Sequence, residues 1–215
     1  MATSSRIIGI SGTLPWKSTM DRKLFQNLTN DRILIVGRKT LQEEQNRSLG
    51  HVRHAKFCIV VSTTVSNVED LMTLPSIDGN KPIGMDQDWI KLRVAASLDE
   101  ALDMARQLQD DIDHSEIVIE SNRPSNLNCW VAGGERLFEE ALKHPSASKL
   151  HLSVVDVDVN IDNVPMEQVA RFPAKYRWDH NYKETSCQRF DETSVPSEEP
   201  TFTYHVFERI QRNKS

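Results

Sequence analysis

Residues 129–143 read CWVAGGERLFEEALK, and this stretch decides the fold. A short apolar run ends in the pair Gly133-Gly134, and a helical pattern opens at Glu135. Strand, glycine turn and helix in that order form the repeating unit of an α/β protein. Similar apolar, β-branched runs recur along the chain: RILIVG (32–37), KFCIVVS (56–62), RVAAS (93–97), EIVIES (116–121), KLHLSVVDVDV (149–159) and TYHVFERI (203–210). Helical patterns cover 19–29, 98–109 and 135–143. Nearly continuous apolar strands alternating with helices predict a central, mostly parallel sheet covered on both faces. The late runs alternate apolar with polar residues, which suits antiparallel strands on one edge. Loops rich in Pro, Gly, Ser and acids fall near 75–91, 120–127 and 191–200, the last connecting the final two strands. No repeat and no second core is visible, so 1–215 is expected to form a single domain of mixed sheet flanked by helices.

Composition narrows the function classes. The 215 residues are 38% hydrophobic, enough for a sizeable core, and the formal charge is -5. A mildly acidic chain without a Lys/Arg run is a poor partner for nucleic acid or an anionic membrane. Cys58, Cys129 and Cys187 lie far apart, and no C-x-x-C or H-x-x-x-H spacing occurs, so reduced thiols and no metal are expected. No run reaches membrane-spanning length and the first residues lack a signal-peptide core, which predicts a soluble, cytoplasmic protein, and a monomer is expected.

Three strand ends carry ligand-binding chemistry. IVGRKT (35–40) ends a strand at Gly37 and continues as Arg38, Lys39 and Thr40. IVVSTT (59–64) ends in Ser62, Thr63 and Thr64, and the third end is Gly133-Gly134 followed by Glu135 and Arg136. Ligands of open α/β sheets gather at the carboxyl ends of strands, and glycines there let a phosphate approach backbone N–H groups. Each signal alone also fits an ordinary helix start, and G-x-G-x-x-G is absent.

The stretch SGTLPWKSTMDRKLFQNL (11–28) poses a different question. Asp21, Leu24, Phe25 and Leu28 fall at i, i+3, i+4 and i+7, so a carboxylate stands at the head of an apolar face. Ser18 and Asp21 have the spacing of a capping box, which would explain the acid locally. The other reading is a pocket carboxylate that binds a cationic or amidine-like group. Ser153, inside an apolar strand, reads locally as a hydroxyl bonded to nearby backbone.

Taken together, IIGISGTLPWKSTMDRKLF, ILIVGRKT, IVVSTT, WVAGGERLFEEAL, KLHLSVVDVDV and YHVFERI, in this order, resemble the dihydrofolate reductase family from about Arg6 to Arg209. The resemblance implies NADPH-dependent reduction of 7,8-dihydrofolate to tetrahydrofolate, in support of one-carbon metabolism. It makes Asp21 the carboxylate that binds the pterin, Ser153 the hydroxyl supporting it, and Trp16 the holder of an ordered water. Phe25 would pack on the pterin, Ile8 would line the nicotinamide pocket, and Lys56 would stand where the family binds the glutamate tail with arginine. Arg38, Ser62 and Thr63 would hold the 2′-phosphate of NADPH. Gly37, Lys39, Thr40, Gly133, Gly134, Glu135 and Arg136 would complete the cofactor side. Where the family begins with an apolar strand, only MATSS precedes RIIG. The expectation is a first strand that is short or missing, in a chain truncated at its start or weakened. A catalytically dead nucleotide-binding relative and a riboflavin-pathway pyrimidine reductase are the alternatives.

Overall fold

The computed structural model describes residues 1–2, 5–45, 54–73, 91–115, 129–173, 178–191, 196 and 198–211. The expected loops at 75–91 and 120–127 lie almost wholly outside these residues, as does the expected strand EIVIES. The chain folds as two compact units, Leu28–Leu137 and Met1–Asn27 with Phe138–Ser215.

The Leu28–Leu137 unit holds a four-stranded parallel sheet of β2 (Ile33–Gly37), β3 (Phe57–Val61), β4 (Leu92–Ala95) and β5 (Cys129–Val131), in the order β4-β3-β2-β5. Ile33, Leu34, Ile35 and Val36 are all buried, as are Cys58, Ile59 and Val60. Burial of successive residues means that both faces of the sheet are covered, as the unbroken apolar runs require. Among the described residues the helices here are α2 (Arg38–Gln45), α3 (Val68–Thr73) and α4 (Leu98–Ser115). Helix α4 packs on β3 and β4 and buries Leu98, Ala101, Leu102, Ala105 and Leu108, a helical apolar stripe. Its start is fixed by Ser97, whose Oγ accepts the Glu100 N–H at 3.2 Å, while Glu100 reaches back to the Ala96 N–H at 2.7 Å.

The other unit is antiparallel. Strands β6 (Lys149–Val155), β8 (Tyr182–Phe190) and β9 (Phe202–Arg209) form a sheet in the order β6-β9-β8. Strand β1 (Ile7–Ile10) pairs with β7 (Val169–Arg171). Helix α1 (Thr19–Thr29) starts here and lays Met20 and Leu24 against buried Val155 and Phe202. Helix α5 (Glu135–Lys143) ends here, its last carbonyls held by Arg209, which donates to the Leu142 and His144 oxygens at 2.9 Å each. Phe138, Phe172, Trp178 and Phe207 pack in one aromatic chain with Leu142, Leu152 and Tyr182.

Among the described residues no strand precedes β1, but the residues ahead of it are not idle. Ala2 is fully buried and forms a parallel bridge with Val155, whose N–H donates to the Met1 oxygen at 2.8 Å. The polar composition of MATSS argues against burial at this end. A small apolar side chain and a few backbone hydrogen bonds suffice for it, because Ala loses no rotamer freedom on burial.

Candidate active site

Helix α1 places the acid singled out by its sequence position. Ser18 is the residue before the helix, and its Oγ accepts the Asp21 N–H at 3.3 Å. That completes the serine half of the capping box. The Asp21 carboxylate is engaged elsewhere: Ser153 on β6 donates its hydroxyl to Asp21 Oδ1 at 2.6 Å. A hydroxyl-to-carboxylate bond of that length is in the charge-assisted range. Ser153 therefore serves a distant carboxylate rather than its own backbone. The Asp21 N–H thus serves the cap, and its carboxylate is bonded to Ser153.

Other groups surround this pair. The Met1 nitrogen donates to the Ser153 carbonyl oxygen at 2.6 Å. Burial pulls its pKa down to about 6, against the attraction of Asp21. Trp16 packs between the apolar clusters around Ile7 and around Val155. Its indole Nε1 is buried with no hydrogen-bond partner among the described residues. A buried N–H of this kind costs free energy unless a water or ligand accepts from it. Phe25, half-buried, lies one turn beyond Asp21 on the same helix face. Ile8 packs, half-buried, against the cluster of Leu152 and Phe172. His151, two residues before Ser153 on the same face of β6, meets the Tyr204 hydroxyl at 2.5 Å. Burial, then the nearby Lys149 charge, lowers its pKa.

The Leu28–Leu137 unit carries the residues expected on the cofactor side. The ends of β2 and β5 are tied together: Gly37 N–H donates to the Gly133 oxygen at 2.7 Å, and Ala132 N–H to the Ile35 oxygen at 2.9 Å. A Cβ on Gly37 would lie 3.5 Å from both the Gly133 oxygen and the Gly134 nitrogen. One on Gly134 would come within 3.2 Å of Thr40 Oγ1, tighter than ordinary contact. Gly133 has φ 125°, where a side chain is strained, and the Gly133-Gly134 bond is cis. Glycine at these strand ends thus lets the turn after β5 pack closely against the end of β2 and the first turn of α2.

Arg38 opens α2 and donates to Gln42 Oε1 at 2.7 Å, with Gln42 itself buried. Sequence reading missed Gln42, although its i+4 spacing from Arg38 was visible. Lys39 and Thr63 are exposed, as are Glu135 and Arg136 in the first turn of α5. Ser62 is buried at the end of β3, and its Oγ accepts the N–H groups of Thr64 at 3.2 Å and Val65 at 3.1 Å. Its hydroxyl shapes the turn after β3, which leaves Thr63 the freer of the two. Lys56 is half-buried just before β3, where its N–H donates to the Arg32 oxygen at 2.9 Å.

A parallel sheet flanked by helices, in one chain with an antiparallel unit, marks an α/β protein. Residues 1–91 match the family model described as dihydrofolate reductase. The chain is similar to several proteins named dihydrofolate reductase. It is 25% identical over 181 residues to dihydrofolate reductase type 5 of Escherichia coli, covering 82% of this chain and 87% of that one. Dihydrofolate reductase of Enterococcus faecium is 27% identical over 156 residues, 73% of this chain and 68% of the relative. Dihydrofolate reductase type 15 of Escherichia coli is 33% identical over 73 residues, 34% of this chain and 43% of that one.

Proposed function

We propose that the chain is an NADPH-dependent reductase that converts 7,8-dihydrofolate to tetrahydrofolate in the cytoplasm, with residues 1–215 acting as one catalytic domain. The observation that carries this reading is the 2.6 Å bond from Ser153 to Asp21 on an apolar helix face. A carboxylate fixed by one hydroxyl keeps a second oxygen to accept from an amidine-like edge, such as the 2-amino group and ring N–H of a pterin. Two donors presented side by side to an ionised acid give orientation as well as binding energy. Phe25 and Ile8 supply apolar walls for a flat ring. The orphaned Trp16 N–H is suited to hold a water, the source of the proton for the ring nitrogen beside the reduced carbon.

On the cofactor side, the glycine cradle of Gly37, Gly133 and Gly134 with Thr40 would take the pyrophosphate, flanked by Lys39, Glu135 and Arg136. Arg38, held by Gln42, and Thr63 with Ser62 would take the 2′-phosphate. Lys56 would meet the glutamate tail as a single charge. Bound NADPH supplies the hydride. The test is loss of NADPH absorbance on adding dihydrofolate to the purified protein. Absence of that loss, with NADPH binding intact, would favour a nucleotide-binding relative without turnover.

A further inference from the structure

On the β8–β9 hairpin three potential metal ligands converge: Glu184, Cys187 and His205, with ligand atoms all within 4.8 Å of one another. Cys187 and His205 are directly opposed partners in the antiparallel ladder, so their side chains share a face. Glu184 and Cys187 are three positions apart on one strand and would face opposite ways in a regular pleat. They do not, because the register shifts between Glu184 and Ser186. Thr185 is the extra residue of this bulge, and its Oγ1 bonds the Val206 oxygen at 3.3 Å. Glu184 consequently pairs with Phe207, which lies on the His205 face of β9. Bulges re-aim side chains in this way, and here one turns a carboxylate toward an imidazole and a thiol. His205 Nδ1 already stands 2.9 Å from Glu184 Oε1.

We propose that Glu184, Cys187 and His205 form a surface site for a divalent transition ion of the zinc class. Thiolate, imidazole and carboxylate together suit zinc or cobalt rather than calcium or magnesium. Two nitrogen or oxygen ligands on a tetrahedral zinc lie about 3.3 Å apart, and sulfur lies about 3.6 Å from nitrogen. The Glu184–His205 gap must open by a few tenths of an ångström, and Cys187 must close by about 1 Å at most. Cys187 and Glu184 are exposed, so rotation of their side chains is unhindered. Binding exchanges the thiol proton of Cys187 for the ion and releases that proton to solvent, with water completing the coordination. Spacing along the chain concealed the set, because two of its members share a strand and the third comes from the opposite one.

Cobalt(II) chloride titrated into the reduced full-length protein tests the site. The expected result is one ion per chain, with a near-ultraviolet thiolate-to-cobalt charge-transfer band and visible bands of tetrahedral type, displaced by zinc. Cys187→Ser should abolish the charge-transfer band. His205→Ala should weaken binding by about tenfold or more. At one fixed concentration zinc should raise the melting temperature of the wild type more than that of His205→Ala. No charge-transfer band, or a band that survives in Cys187→Ser and so belongs to Cys58 or Cys129, would overturn the proposal.

Discussion

Replacing Asp21 by Asn separates its two roles. The amide keeps the backbone N–H that Ser18 caps at 3.3 Å, so the start of α1 is untouched. An Asn oxygen can also accept from Ser153 in place of the 2.6 Å bond, but without charge. What disappears is the anion that a protonated or amidine-like ring edge would face. A hydrogen bond to a charged group is worth about 1.5–3 kcal/mol. Carried into kcat/KM, that is a loss of about 10- to 160-fold. The assay is steady-state NADPH oxidation with dihydrofolate, paired with thermal unfolding. Asp21→Asn should lose activity in that range while its melting temperature stays close to wild type. The double variant with Ser153→Ala supplies the decisive measurement. Groups in direct contact couple by about 0.5–3 kcal/mol, so the two losses should fall short of adding. Near-wild-type turnover of Asp21→Asn, or losses that simply add, would refute the claim that this pair binds substrate.

Arg38→Ala should weaken NADPH by about 10- to 160-fold and leave NADH binding almost unchanged, as measured by fluorescence titration; equal losses would remove Arg38 from the 2′-phosphate. Gly134→Ala forces a Cβ to within 3.2 Å of Thr40 Oγ1, and it should destabilise by about 1–3 kcal/mol in urea unfolding. Adding Thr40→Ala should recover part of that loss, whereas a single variant as stable as wild type would show slack in the cradle. Glu199 accepts the Thr19 N–H and Thr19 hydroxyl at 2.5 Å each, and these bonds hold its carboxyl below the usual range. Its stabilising effect is present above the unfolded-state pKa and fades as pH falls through the lower folded value. The wild type should therefore melt above Glu199→Gln at neutral pH, the gap closing in acid; a gap independent of pH would mean that packing matters instead. Lys56→Arg restores a planar fork and should lower KM for dihydrofolate, and an unchanged KM would place the glutamate tail elsewhere.

The sequence by itself determined those elements whose causes are local. Helices α1 and α5 run over Thr19–Thr29 and Glu135–Lys143, the spans their apolar spacing and start signals indicate. The parallel strands were legible because burial on both faces demands unbroken apolar runs, and the glycine turn after β5 because Gly133 has φ 125°, which a side chain would strain. Helix α4 extends past its apolar pattern to Ser115, since a polar turn can continue a helix already held by its packed face. Tertiary structure decided what depends on partners far away in the chain. Strand β8 has a run of exposed residues and no apolar period, and it exists because β9 offers it a ladder of backbone bonds. Glu199, in an acidic stretch that reads as plain loop, becomes the long-range cap of α1. Ala2 is buried by Val155, and Ser153 finds Asp21 only because β6 lies beside α1. Local rules register propensity and periodicity. They do not register which distant donor meets which acceptor, and a hydrogen bond between remote residues leaves no period in the sequence.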